Sequence, residues 1–151
     1  MTSVKQLQAN KTIVRRYYEE AFNERNLNLL EELISPNVVN HNPVSDESLT
    51  PEEATGFDGF KQHVESAESV FPDGKVTIDR ILAEDDFVFV QFTFEGTHEG
   101  TFAGIEPTGR NISMSNMALF RIEDGMITER WAEADNLVML KQLGVTELPA
   151  D

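Results

Sequence analysis

The sequence predicts an α+β fold in a single domain, residues 1–151, with helices in the first half and an antiparallel meander in the second. Three observations carry that expectation. Apolar residues recur at helical spacing as far as Phe71, and from Lys75 onward the pattern changes to runs of β-branched and aromatic residues at strand spacing. Turn signals, Glu84-Asp85-Asp86 and Asp124-Gly125, fall between those runs at hairpin distance. The 151 residues are 40 % hydrophobic and 26 % charged, enough apolar material for one core.

Ser3 followed by Gln6 makes a capping-box pattern. Val4, Leu7, Val14, Tyr17, Tyr18, Ala21 and Phe22 fall on one side of a first helix, which Asn23 to Asn26 interrupt. Leu27, Leu30, Leu33 and Ile34 mark a short second helix. Ser35-Pro36 closes it, because the residue before a proline is pushed out of the helical region. Asn37 to Asn42 reads as a short extended piece, and Pro43 to Gly56 as a polar loop carrying Asp46, Glu47, Glu52 and Glu53. Phe57, Phe60, Val64, Ala67 and Phe71 outline a third helix that ends at Pro72-Asp73-Gly74. Strands are expected from Val76 to Ala83, Phe87 to Glu99, Arg110 to Glu123 and Met126 to Asp135. Gly100, Gly104, Pro107 and Gly109 break the connection between the second and third of these. Leu137, Leu140 and Leu143 suggest a closing helix stopped at Gly144. Long strands in one sheet, covered by three helices, make room for a curved sheet with a pocket beneath it.

Charge narrows the partners. Twelve Lys and Arg against 27 Asp and Glu give a formal net charge of −15, which repels both a nucleic-acid backbone and an anionic membrane. With no cysteine, disulfides, thiolate catalysis and iron–sulfur clusters are excluded. The N-terminus lacks an apolar signal core and no window is long enough to span a bilayer, so a cytoplasmic protein acting on small molecules is expected.

Alternation along the strands selects the residues that could carry chemistry. Val88, Val90, Phe92, Phe94, Gly96 and His98 share a face, so His98 closes an apolar row, either as a hydrogen-bonded structural histidine or as a site residue. In the last strand Ile127, Glu129, Trp131, Glu133 and Asp135 share one face and Met126, Thr128, Arg130, Ala132 and Ala134 the other. If the first of these faces lines a pocket, desolvation beside Trp131 makes a carboxyl group a better base; otherwise Asp135 merely caps the helix beginning at Asn136. Asn116 interrupts the apolar row of Ile112, Met114, Ala118 and Phe120, as a donor to a ligand oxygen or as a satisfied buried amide. His63 is read as solvated, off the Phe60/Val64/Ala67 stripe. His41, His63 and His98 have no ligand spacing, so no metal site is expected. Phosphate loop, dinucleotide fingerprint and nucleophile elbow are all missing from the sequence.

Four stretches, VVNHNP (Val38 to Pro43), FPDGKVTIDRILAEDDFVFV (Phe71 to Val90), GTHEGTFAGIEPTGR (Gly96 to Arg110) and FRIEDGMITERWAEAD followed by LKQLG (Phe120 to Gly144), resemble the SnoaL-like polyketide ester cyclases. These belong to the nuclear-transport-factor-2-like (NTF2-like) superfamily. The resemblance covers nearly the whole chain and is more specific for fold than for reaction. It implies a cone of three helices wrapped by a bent antiparallel sheet, a homodimer or higher homo-oligomer packed sheet to sheet, and no cofactor. It also implies ring closure of a hydrophobic polyketide ester by intramolecular aldol condensation, with Asp135, the end of the Glu-x-Trp-x-x-x-Asp block, as the acid/base. His98 matches the histidine of the His-x-Gly motif and His41 that of His-x-Pro, both with lining or orienting roles. Around them, Trp131, Asn116, Phe92, Phe94, Phe102 and Glu129 are the expected substrate contacts. Met126 departs from the family at a position where lysine is more usual, and the acidic loop from Val44 to Thr55 is longer than expected. Two other readings remain open: a different proton-transfer reaction on the same fold (isomerase, dehydratase or epoxide hydrolase), or a non-catalytic module binding a hydrophobic ligand.

Overall fold

The computed structural model describes residues 1–41 and 56–147. The polar segment with Asp46, Glu47, Glu52 and Glu53 lies outside the described residues. Helix α1 runs Val4–Arg16, and the Ser3 side chain accepts the Gln6 N–H at 3.1 Å as its N-cap. Only its C-terminal part is packed inward; Val4 stays 75 % exposed. The chain then widens into a π-helical turn, Tyr17–Phe22. A π turn carries an extra residue, and it buries Tyr17 and Tyr18 side by side together with Ala21 and Phe22. A 3₁₀ turn, Leu27–Leu29, leads into α2, Leu30–Leu33. The backbone is already extended at Ile34, one residue before the expected stop.

The remaining elements are β1 Ile34–Asn40, α3 Gly56–Val70, β2 Lys75–Glu84, β3 Phe87–Thr97, β4 Asn111–Glu123, β5 Met126–Ala134 and α4 Asn136–Gln142. They match the sequence expectations within a residue or two, except that β1 starts three residues earlier than the expected Asn37 and that the topology changes once. The five strands order as β1-β5-β4-β3-β2, and β1 pairs parallel with β5, so the sheet is mixed where a purely antiparallel one was expected. The short extended piece is thus a full strand on the open edge of β5.

Core packing occurs between the concave face of the sheet and the helices. Val88 and Val90 of β3 and Phe120 of β4 are fully buried, and Phe120 meets Tyr17 and Tyr18 edge-on at 5.8 Å. Burying one such side chain contributes roughly 1.5–3 kcal/mol, and the crossed rings add a specific geometry.

Irregularities bend the sheet. Asp79 is an extra residue in β2, and Thr128 an extra residue in β5, where Arg121 pairs Glu129 but Ile122 pairs Ile127. The bulge at Thr128 decides what faces the concave side. Ile127 points inward, the phase slips by one residue, and Arg130 and Ala132 then follow inward while Glu129 and Trp131 turn outward.

Candidate functional site

Beneath the concave face, between α3, α4 and strands β3 to β5, lies a cavity of about 330 Å³. Phe71, Phe92, Phe94 and Phe102 form its aromatic wall, and Met114 and Met139 add adaptable apolar surface. Its polar residues come from four elements: His63 of α3, Asn116 of β4, Arg130 and Glu133 of β5, and Asn136 of α4.

Arg130 is only 6 % exposed. Its Nη1 donates to Asn40 Oδ1 at 3.2 Å across the parallel β1/β5 pair, while Nε has no hydrogen-bond partner. Its guanidinium carbon lies 6.0 Å from the Phe120 ring centre. Among the described residues no carboxylate stands within ion-pair distance of it. Sequence alternation placed Arg130 on the wrong side, because an inserted residue in a strand leaves no periodic trace.

His63 corrects a second expectation. It is buried and lines the cavity rather than facing solvent. Burial, helped by the positive charge of Arg130, drives its pKa well below the usual histidine value, so the imidazole is neutral. The signal was present in the sequence: Phe60, His63, Val64 and Ala67 follow the i, i+3, i+4, i+7 spacing of one helical face. Behind the wall the Tyr18 ring lies 4.8 Å from that of Phe92, tilted by 40°. Burial raises its pKa, while Arg130 lowers it by its charge and by hydrogen bonding at the hydroxyl, although that contact is not well aligned.

Asn116 lies where it was expected, 6 % exposed, with Nδ2 donating to Met114 O at 3.2 Å. That leaves its other amide hydrogen and its carbonyl oxygen for a ligand. Phe92, Phe94 and Phe102 are also in the wall.

The other expected site residues fall elsewhere. Asp135 is exposed, and its Oδ1 accepts the Val138 N–H at 3.2 Å as the N-cap of α4. The expected inward burial of this carboxylate is corrected: the bulge puts Ala134, not Asp135, in the inward phase. Ala134 and Asn136 on either side of it line the cavity, whereas Asp135 does not. Trp131, Glu129 and His41 do come together, but on the convex face. The His41 and Trp131 rings stack at 4.6 Å with 5° between planes, and His41 Nε2 is 3.9 Å from Glu129 Oε1. Arg121 reaches the other Glu129 oxygen at 3.6 Å. His98 is wholly buried yet is not part of the cavity wall; its ring packs 6.1 Å from Phe71. Among the described residues no group of three or more His, Asp or Glu is placed to hold a metal ion, and no helix is long and apolar enough to cross a membrane.

The curved mixed sheet, the helices on its concave face and the cavity between them define an NTF2-like α+β cone. Residues 12–143 match the model of the SnoaL-like polyketide cyclases, and the chain belongs to that family. IdmH of Streptomyces antibioticus, described as a candidate polyketide cyclase, is 34 % identical, with 90 % of this chain and 99 % of that one aligned and a TM-score of 0.76. TsrD of Streptomyces laurentii is 25 % identical over 95 % of this chain and 98 % of its own, with a TM-score of 0.79. A candidate SnoaL-like polyketide cyclase of Jannaschia superposes with a TM-score of 0.81 over 97 % and 99 % of the two chains; at 19 % identity it speaks for the fold alone. No protein with a curated description matches the sequence.

Proposed function

We propose that the chain is a cofactor-independent cyclase, closing a ring in a hydrophobic ester by proton transfer at a carbon flanked by carbonyl groups. The observation that supports this most is the cavity, an aromatic chamber whose wall includes Ala134 and Asn136, the chain neighbours of Asp135. Phe92, Phe94 and Phe102 hold a flat ligand in a folded, near-attack arrangement. Asp135 takes the proton from the acidic carbon, and the enolate carbon attacks a carbonyl carbon of the same molecule. The new alkoxide then takes that proton back from the Asp135 carboxyl group. One carbon–carbon bond forms, and no co-reactant is consumed. A ligand seated at the mouth strips water from the carboxylate and strengthens it as a base. Asn116, paired in register with Ala134 next to Asp135, donates its free amide hydrogen to the enolate oxygen, a contact worth a few kcal/mol when well placed.

In this reading the working unit is a homodimer joined through the convex sheet face, and His41, Trp131 and Glu129 act there rather than on substrate. The test uses a tricyclic aromatic β-keto methyl ester. Wild-type protein should convert it to a cyclised isomer of the same mass, and Asp135→Asn should lose at least about a hundredfold in rate. No isomer formed, or full rate in the variant, would overturn the proposal.

A further inference from the structure

The cavity wall holds a buried positive charge, Arg130, with no carboxylate within ion-pair distance among the described residues. Arg130 has five N–H donors, and the structure shows a hydrogen bond from Nη1 alone. Nε is buried without an acceptor. Two further buried polar atoms near it are in the same condition, Asn40 Nδ2 and the Tyr18 hydroxyl. Asn40 is tied to Arg130 by the 3.2 Å bond through its oxygen, and the Tyr18 oxygen faces the guanidinium, which acts on it by charge and by hydrogen bonding. The Asn40 amide hydrogens and the Tyr18 O–H find no acceptor, and Arg130 Nε has no well-aligned one. Native interiors rarely leave such groups unpaired, and a cluster of orphan donors around one cation specifies a missing partner that is both acceptor and anion.

We propose that this end of the cavity is a carboxylate-binding site, where Arg130, backed by Asn40 and Tyr18, anchors a hydrophobic substrate by an ionised acid group. The proposal deepens the cyclase reading and rests on the cavity being the substrate chamber. A carboxylate fits better than a phosphate dianion for a stated reason. The site offers one full positive charge in an apolar chamber, and a second negative charge would be left uncompensated there. His63 does not supply it, since burial and Arg130 keep its ring neutral. The guanidinium edge also matches the two oxygens of a carboxylate in a planar, bidentate pairing. Phe92 and Phe94 then clasp the rings that carry the acid.

The position sets the shape of the substrate. Arg130 and Asp135 are five residues apart along β5 and its end, roughly 16 Å at strand rise. The anchored acid is therefore remote from the reacting carbon, and the substrate is an elongated flat acid that closes its ring at the opposite end.

Isothermal titration with 2-naphthoate and methyl 2-naphthoate at pH 7 tests this directly. The two probes share the ring and differ in charge. Wild-type protein should bind the acid about tenfold or more tighter than the ester. Arg130→Met, which keeps the volume of the stem, should reduce that ratio to within about twofold through weaker acid binding; Arg130→Lys should keep part of the preference. Equal affinity for acid and ester in the wild type, binding of neither, or a preference kept in Arg130→Met would overturn the site. Should Arg130→Met not fold, the wild-type ratio still decides. Failure of ring closure, or full activity in Asp135→Asn, strikes the cyclase reading and leaves the acid-to-ester ratio untouched, so the two fail separately.

Discussion

Thr108 grips His98 through a single ring nitrogen. Nδ1 of His98 lies 3.0 Å from the Thr108 hydroxyl and accepts the Thr108 backbone N–H at 3.1 Å, which leaves the ring proton on Nε2. The backbone doubles the grip: His98 N–H donates to Arg110 O at 2.9 Å and Gly109 N–H to His98 O at 3.0 Å. Gly109 is at φ +69°, so a glycine is what lets the chain turn back here. Gly100 is seated against the end of α3, where a Cβ would run into Ser69 O and Val70 Cα, and both Glu99 and Gly100 N–H groups donate to Val70 O. The His-x-Gly and Pro-Thr-Gly-Arg motifs are thus two halves of a clasp. Between them the chain carries Phe102 to the cavity wall.

This makes His98 a stability residue. His98→Ala removes a fully buried ring and orphans the Thr108 N–H, and it should cost about 3 kcal/mol. Urea unfolding measures it. A variant with an unchanged midpoint but no turnover would put His98 back among the reacting groups.

Asp135 holds two roles that one pair of substitutions separates. Asp135→Ala deletes the N-cap of α4 and should lose about 1 kcal/mol in thermal unfolding, whereas Asp135→Asn keeps the cap and should change stability by less than about half of that. Both should lose ring closure. If only the alanine variant is impaired, and in proportion to its lost stability, the carboxylate is a cap and nothing more.

The helices, four of the strands and the aromatic wall were legible because they rest on periodicity and turn chemistry, which are local. Phe92, Phe94 and Asn116 could be assigned to the concave face from β3 and β4, whose mutual register is unbroken. The last strand could not be read this way. Thr128 shifts its phase, so the Glu129/Trp131 side, read as the possible inner one, lies outside and Arg130 lies inside. The convergence of Asn40, Tyr18 and Arg130 is tertiary: residues 18, 40 and 130 meet only after β1 has paired with β5. The family motifs pointed to the right fold, but one of them, the His98 clasp, holds structure.

His63 gives a pH signature of definite sign. Its folded pKa is depressed by burial and by Arg130, so below about pH 6.5 the unfolded chain binds a proton that the native one refuses. Its contribution is fully present above that pH and is lost as pH falls, at a slope of up to about 1.4 kcal/mol per unit. His63→Gln should flatten the stability profile between pH 6.5 and 5 relative to wild type in chemical denaturation. Parallel profiles for the two proteins would show that His63 is protonated in the folded state.

The convex face supplies the last expectation. Leu82, Phe89, Leu119 and Trp131 are register neighbours in β2, β3, β4 and β5, forming an apolar row across the outside of the sheet. Leu82 is 62 % exposed, and Met117 beside the row 47 %. A chain with a net charge of −15 keeps such a row on its surface at the risk of association, and a second copy meeting it sheet to sheet removes that apolar area from water. Met117→Glu puts a charge on this surface at a position where the monomer has little to lose, so unfolding should shift by less than about 0.5 kcal/mol. Dimer dissociation should strengthen at least about tenfold, since a desolvated unpaired charge on each partner opposes the contact. Sedimentation velocity at low micromolar protein reads the change as a shift from dimer to monomer. A wild-type protein that already sediments as a monomer, or a variant that stays dimeric, would assign the apolar row no part in assembly.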